Sequence, residues 1–357
     1  MPDFLEDGTS FWAALIVGGL FILLFLRAWF NLRALPIIQA AKGTRAADCM
    51  VVIPARDEED VIARAVKSLP HDTVIVVDDA SSDATAKVAR EAGAGVLPAP
   101  SLQRGGTGKA NACAAGAQPL TSRWILFADA DTWFEPGFLE AAVAVSEASG
   151  ISFLSVYPEP APVGFLEHML TPYLRALYFA GTNPKSCPAE AFNGQVVLAR
   201  RETYEFLGGH NAILREAVDD IRLALLAERH RVKYALGRAP ALCHTHMYRG
   251  ASGVWRGLER QAVRFHIGNP VRALMSLLAA AIAALWLPVL VWLIWDRQWI
   301  AAGCFAIVPF ACLRYWYGST PRTLLAPFAI YVALPFLAHA FLAGVTGRPV
   351  LWKGRWV

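Results

Sequence analysis

Acidic residues gather where short apolar runs end. VVIP leads into Ala55-Arg56-Asp57-Glu58-Glu59, VIVV into Asp78-Asp79-Ala80-Ser81-Ser82-Asp83, and ILFA into Asp129-Ala130-Asp131. Two carboxylates at i and i+2 in a turn can hold a hard divalent cation through oxygen and leave positions for diphosphate oxygens. Asp129 and Asp131 are therefore the expected metal ligands, and either Mg²⁺ or Mn²⁺ suits them. The neighbours Asp78 and Asp79 repel one another and lose hydration at a strand end unless they hold a donor or a cation. Asp57 and Asp83 also fit helix N-capping. Lys109, in GTGKANA, offers a positive charge at the start of a helix, which suits a phosphate, although the spacing of a Walker loop is absent and a solvated surface lysine is the plainer alternative. Asp219 and Asp220 open VDDIRLALLAERH; a helix dipole favours acids in the first turn but does not require both. His244-Thr-His246 is an i, i+2 pair without cysteine or further histidine, and reads as structural rather than metal-binding.

These residues need elements to hold them. MVVIP at 50–54 is β-branched, and Val61, Ile62, Ala65, Val66 and Leu69 follow at helical spacing. The pattern repeats: a strand at Val74 to Val77, a helix from Ala84 to Ala92, a strand near Val96, a helix from Lys109 to Ala117 and a buried strand at Trp124 to Ala128. Strands alternating with helices predict an α/β unit with a mostly parallel sheet, whose ligands bind beyond the carboxyl ends of the strands. The acid-bearing tips would then converge on one crevice.

The chain has 357 residues, 55% of them hydrophobic and only 17% charged, which places part of it in lipid. Phe11 to Phe30 matches the ~20 apolar residues that cross a bilayer. Its amino-terminal flank is acidic (Asp3, Glu6, Asp7), so an uncleaved anchor is expected rather than a signal peptide. Arg27, Arg33, Lys42 and Arg45 place the following residues in the cytoplasm. Leu274 to Trp295 and Leu324 to Val345 are further spans; Trp299 to Leu313 is a short, tilted or re-entrant one, and the side on which the tail RPVLWKGRWV lies depends on it. VWRGLERQAVRFH, from Val254 to His266, reads as an interfacial amphipathic helix, with Trp255, Trp352 and Trp356 as interfacial anchors. The expected organisation is an anchor and linker at 1–47, a catalytic domain at 48–250, the interfacial segment at 251–270 and a membrane region with basic tail at 271–357. A net charge of +4 with no basic stripe excludes nucleic acid as a partner. Six scattered cysteines without a Cys-x-x-Cys pair indicate a reducing compartment and no disulfide framework.

VVIPARDEE, VVDDASSDAT, GKANA, ILFADAD, FNGQVVLARRETYEFLGGH, VDDIRLA and QAVRF, in this order between membrane segments, resemble the membrane-bound family 2 glycosyltransferases of GT-A fold. SVYPEP, GGHNAI, HMYRG and WKGRWV are most similar to the carotenoid-acid and hopanoid-associated transferases, with ceramide glucosyltransferases as more distant cousins. The resemblance implies a Rossmann-like, mostly parallel cytoplasmic domain with one amino-terminal and two to three carboxyl-terminal transmembrane helices in the inner membrane. It implies a nucleotide-sugar donor, a UDP-sugar by expectation, and a lipid acceptor. Glu58 and Asp78 or Asp79 would contact the nucleoside, Asp129 and Asp131 the metal and sugar diphosphate, and Gln261 and Arg264 the diphosphate. Phe265 stands where the family carries Trp, which argues against processive polymer synthesis. In an inverting transfer a carboxylate accepts the proton of the acceptor hydroxyl as it attacks the anomeric carbon, while a metal offsets charge on the leaving diphosphate. Asp220 matches the first role, with Asp219 in support. Competing readings are transfer to polyisoprenyl phosphate or a polysaccharide, a non-catalytic membrane scaffold, and a nucleotidyltransferase; the last lacks its Gly-rich loop after the first strand.

Overall fold

The β-branched runs become strands of one twisted sheet whose faces are both covered, so their residues read as nearly continuous apolar stretches. A computed structural model describes residues 8–40, 48–102, 106–216, 218–246, 250, 253–255, 257, 270–318, 321–346, 351–352 and 355–356. The chain divides into two compact units: residues 35–161, 184–247 and 353–357 form the sheet unit, and residues 1–34, 162–183 and 248–352 form a helical unit.

In the sheet unit, β1 (Cys49–Ala55), β2 (Val74–Asp78), β3 (Gly95–Pro98), β4 (Trp124–Ala128), β6 (Phe153–Tyr157), β8 (Val196–Arg200) and β9 (Tyr234–Arg238) run in the order β3-β2-β1-β4-β8-β6-β9. The four strands from β3 to β4 are parallel, as are β6 and β9; β8 is antiparallel to both its neighbours. The sheet is thus mostly parallel and has the GT-A architecture expected. A small second sheet, β5 (Thr132–Phe134), β10 (Cys243–Thr245) and β7 (Glu159–Pro160), flanks it. Val51, Val52, Ile53, Val76, Val77, Ile125 and Leu126 are all fully buried. At roughly 1.5–3 kcal/mol for each large aliphatic side chain, this core outweighs any single polar contact above it.

Helices α2 (Ile62–Lys67), α3 (Thr85–Glu91) and α4 (Gly108–Ala117) connect the parallel strands, and α5 (Phe138–Ser149) follows β5. Small residues let α4 lie tight on the sheet. A Cβ on Gly116 would come within 2.5 Å of Val52 Cγ1 and 2.8 Å of Val77 Cγ2, so a side chain there would push the helix off β1 and β2. That close seat sets Lys109, in the first turn of α4, at the carboxyl edge. After α7 (Arg201–Phe206), helix α8 (Asp219–Arg229) carries the fourth acidic pair in its first turn. All six cysteines are free thiols.

The helical unit holds α1 (Thr9–Arg33), α6 (Phe165–Gly181), α9 (Pro270–Ala284), α10 (Trp286–Trp295), α11 (Trp299–Tyr317) and α12 (Ala329–Thr346). Among the described residues, three helical stretches are long and apolar enough to cross a membrane: Thr9–Arg33, Leu277–Trp295 and Trp299–Tyr317. The middle carboxyl-terminal run is therefore a continuous helix that carries Arg314 in its last turn. The run from Leu324 behaves differently: Pro321–Phe328 is a 3₁₀ turn, and α-helix begins only at Ala329. Pro321 and Pro327 remove two backbone donors at that start.

Helix α6 belongs with the apolar helices although it falls inside a stretch of the sequence that reads as polar. Leu170, Tyr173, Ala176 and Phe179 form its buried stripe. Its carboxyl-terminal carbonyls are met from α1: Arg27 Nε donates to Ala180 O at 2.8 Å, and Asn31 Nδ2 donates to Phe179 O at 2.8 Å and Thr182 O at 2.7 Å. Trp255 is partly exposed and its ring packs on Phe336. The side chains of Trp352 and Trp356, and Gln261, Arg264 and Phe265 altogether, lie outside what the structure describes.

Candidate active site

In the order β2-β1-β4, successive crossovers from β1 run first one way along the sheet and then the other, so the topological switch point lies between the carboxyl ends of β1 and β4. The register pairs Ala55 with Asp78 and Val52 with Phe127, which brings the tips of β1, β2 and β4 to one edge. β2 and β4 flank β1, so their tips are roughly 10 Å apart.

At the β1 and β2 tips the acids lace two loops together. Asp57, in a left-handed conformation at φ 52°, accepts Ser82 N–H at 2.7 Å and Ser82 Oγ–H at 3.0 Å. Glu59 accepts Ala84 N–H at 2.8 Å, and Asp83 accepts Glu59 N–H at 3.2 Å and Thr85 N–H at 2.9 Å. Thr85 Oγ1 in turn accepts Glu58 N–H at 2.7 Å. Burial works to raise the carboxyl of Asp83, but the bonds from Thr85 and Glu59 outweigh it and hold it below the usual aspartate value. Asp57 is a clasp between loops rather than a helix cap, whereas Asp83 both clasps the β1 loop and takes the N–H of Thr85, the first residue of α3.

Asp78 and Asp79 part company. Asp79 is buried, its N–H donates to Ala55 O at 2.8 Å, and Arg56 Nη1 lies 3.7 Å from its carboxylate while donating to its carbonyl at 3.1 Å. Asp78 Oδ1 is buried and has no hydrogen-bond partner among the described residues. A buried acceptor left empty costs about 1–3 kcal/mol, which a ligand N–H or O–H would recover.

Beyond β4 the geometry is tighter. Lys109 Nζ lies 2.5 Å from Asp129 Oδ1 and donates to Gly194 O at 2.8 Å. Gly194 N–H donates to Asp220 Oδ2 at 2.9 Å, and Ile221 N–H donates to Asp220 Oδ1 at 2.8 Å. Asp129 N–H donates to Gln195 O at 2.9 Å. Asp131 Oδ1 faces the hydroxyls of Thr132 and Thr245, each at 3.4 Å, and Gln195 Nε2 reaches Thr245 Oγ1 at 3.3 Å. Asp129, Lys109 and Asp220 thus lie in one cluster with Asp131 at its border, while Asp219 is buried behind it.

The Lys109 ammonium is paired inside this cluster. Burial works against the Lys109 ammonium, but Asp129 and then Asp219 outweigh it and raise its pKa above the ordinary lysine value. Burial pushes His210 down to about 4, against a smaller opposing pull from Asp219. The neutral ring sits against Phe127 and shares a 2.8 Å bond with the hydroxyl of Tyr204, which also accepts His210 N–H at 3.0 Å. Burial likewise raises the thiol of Cys113, one turn beyond Lys109, so it is an inert filler rather than a nucleophile.

For a metal, the cluster offers carboxylate oxygens and no sulfur or imidazole. No group of three or more His, Cys, Asp or Glu among the described residues can hold one. Asp129 and Asp131 supply carboxylate oxygens, the donor type that a hard divalent cation takes. His244 stacks on Trp133 with 5.5 Å between centroids, and its Nε2 is 3.9 Å from Glu135; His246 N–H donates to Asp131 O at 3.0 Å. Both histidines serve the second sheet. Residues without charge, Asn193, Gly194, Gln195 and Thr245, join the acids; the sequence signals for them were a helix-breaking Asn-Gly and their place within FNGQ, to which no role attaches by residue type alone.

Residues 50–220 match the family described as Glycosyl transferase family 2. The 4,4'-diaponeurosporenoate glycosyltransferase of Staphylococcus haemolyticus (strain JCSC1435) is 28% identical over 201 residues, 53% of this chain and 53% of that protein. Its namesake from Staphylococcus aureus (strain USA300) is 31% identical over 186 residues, 48% of this chain and 49% of that protein. The chain thus spans about half the length of the curated relatives it matches. Among solved structures, the mannosyltransferase PcManGT from Pyrobaculum calidifontis in complex with GDP-Man and Mn2+ superposes with a TM-score of 0.52 at 19% identity, covering 94% of this chain and 97% of that one.

Proposed function

Starting from the family 2 glycosyl transferase domain of residues 50–220, we propose that the chain transfers a sugar, with inversion, from a nucleotide-sugar to a membrane lipid. The observation that carries the reading is the cluster beyond β4, where Lys109, Asp129 and Asp220 lie within a few hydrogen bonds of one another at the switch point of the sheet. Phosphate and base chemistry need those groups side by side.

The roles follow from position. Asp220, half-buried and held in one orientation by two backbone N–H groups, takes the proton of the acceptor hydroxyl. Lys109 keeps a positive charge beside the leaving diphosphate, held there by Asp129 and, behind it, by buried Asp219. Asp129 and Asp131 would hold a divalent cation, Mg²⁺ or Mn²⁺, which when bound offsets charge on the diphosphate; the structural neighbour with Mn2+ is consistent with this. Asp78, with its empty buried acceptor, and Glu58 contact the nucleoside, and Asp79 shapes the loop through Arg56. Gln261 and Arg264 are assigned to the diphosphate on the sequence alone.

Three apolar helices and relatives named for a carotenoid acid support a lipid acceptor. A carotenoid, hopanoid or sphingolipid-like molecule fits. Arg27, Arg33, Lys42 and Arg45 support a cytoplasmic catalytic domain on a multi-pass inner-membrane protein. The test is thin-layer chromatography of lipid extracts from permeabilised membranes carrying wild-type protein or Asp220→Asn, given labelled UDP-sugars or GDP-mannose with Mg²⁺ or Mn²⁺. An organic-soluble labelled band that the variant lacks is the expected result. Label confined to the aqueous phase would replace the lipid reading with polymer synthesis, and a band unchanged in Asp220→Asn would remove the base.

A further inference from the structure

One uncharged loop touches Lys109, Asp129 and Asp220. Asn193 and Gln195 bond across the glycine between them: Gln195 N–H donates to Asn193 Oδ1 at 2.8 Å and Asn193 Nδ2 donates to Gln195 Oε1 at 3.2 Å. Ser155 on β6 fixes the start of the loop, its hydroxyl donating to Asn193 O and accepting Asn193 N–H, both at 2.9 Å. The peptides on either side of Gly194 are thereby held, one aiming its N–H at Asp220 and the other its carbonyl at Lys109. The next carbonyl, that of Gln195, takes Asp129 N–H.

The glycine is favoured by space, not by backbone conformation. Gly194 is not among the residues with positive φ. A Cβ built on it would lie 3.0 Å from Asp220 Cβ, 3.1 Å from Oδ2 and 3.3 Å from Cγ, so Asp220 would have to give way by a few tenths of an ångström. An alanine at 194 therefore presses on the carboxylate that its own N–H is meant to hold.

We infer that Gly194 is a positioning residue for the transfer: its two peptides fix Asp220 against the Lys109–Asp129 pair, and its missing side chain leaves Asp220 its place. This rests on Asp220 being the base. Displacing a reacting group by up to about an ångström costs on the order of 10²-fold in rate.

The experiment is a double-mutant cycle on the full-length protein in detergent, with Gly194→Ala, Asp220→Asn and the pair. Gly194→Ala is expected to lower kcat by roughly 10- to 100-fold, while calorimetric titration with UDP and GDP gives the wild-type dissociation constant and stoichiometry. Added to Asp220→Asn, it is expected to cause no further loss, because a residue acting through the carboxylate has nothing left to position. Losses that multiply, nucleotide binding that falls with the rate, or a wild-type kcat would each overturn the inference. Wild-type activity in Asp220→Asn alone would instead remove the base assignment, a separate failure. Should Gly194→Ala not fold, Asn193→Ala opens the clasp without adding volume; a smaller loss that also vanishes in the Asp220→Asn background supports the inference, and one that persists there overturns it.

Discussion

Two ends of one sheet edge begin from the same sequence pattern, an acid after an apolar strand, and use it differently. At the β1 and β2 tips, Asp57, Glu59 and Asp83 accept backbone N–H groups from the opposite loop. At the β4 tip, Asp129 meets an ammonium, and Asp220 is held by the N–H of a glycine whose carbonyl meets that same ammonium. The first group of acids ties loops together; the second gathers around one ammonium and one glycine. An acid's partners, more than its place after a strand, tell the two apart.

Removing the charge of Asp220 tests the second region at its strongest. Asp220→Asn keeps the shape and the bond from Ile221, and is expected to lower kcat by roughly 10³-fold, within the range for loss of a general base, with thermal stability close to wild type. A loss below about tenfold would place Asp220 with the structural acids. Asp129→Asn is expected to weaken binding of UDP and GDP in the presence of Mn²⁺, and equal nucleotide binding in that variant would take Asp129 out of the donor site.

A smaller effect comes from beneath the same region. His210 is buried and neutral, with a folded value of about 4 against 6.5 for the free side chain. The folded value is depressed, so the unfolded chain binds the proton more readily between those two values. Stability is thus present above about pH 6.5 and is lost as pH falls toward 4, by at most about 3 kcal/mol. Thermal melts of the wild type between pH 7.5 and 4.5 should show this slope, and His210→Gln should flatten it. An unchanged slope would mean that other groups carry the acid sensitivity.

Much of this arrangement is legible in the sequence. The strands of 50–54, 74–77 and 124–128 and their acid tips follow from β-branched runs that end in polar residues, because a buried parallel strand can be little else. The lacing of Asp57 to Ser82 and of Glu59 to Ala84 is not legible, since each joins residues some 25 positions apart and depends on β1 and β2 lying side by side. The loop at Asn193-Gly194-Gln195 is hidden for another reason: its work is done by backbone groups, which every residue has. Helix α6 escapes notice because Glu167, His168 and Arg175 break up its apolar run along the sequence, although its buried stripe is continuous from Leu170 to Phe179. The break at Pro321–Phe328 escapes because hydropathy counts proline as harmless, while the helix loses a donor at each one.

The smallest effect separates the two regions most cleanly. Asp83 accepts two backbone N–H groups and the hydroxyl of Thr85, 2.5 Å away. Asp83→Ala orphans those donors; water replaces the bond from exposed Glu59 N–H but not those of buried Thr85, so the expected cost is about 1–2 kcal/mol, similar to losing a helix cap. Chemical denaturation should show that shift while kcat stays within about twofold of wild type, because a clasp between loops adds stability without touching a reacting atom. A variant of normal stability and lost activity would reverse the assignment: Asp83 would then hold substrate, and the β1 and β2 tips would belong to the chemistry as fully as the tip of β4.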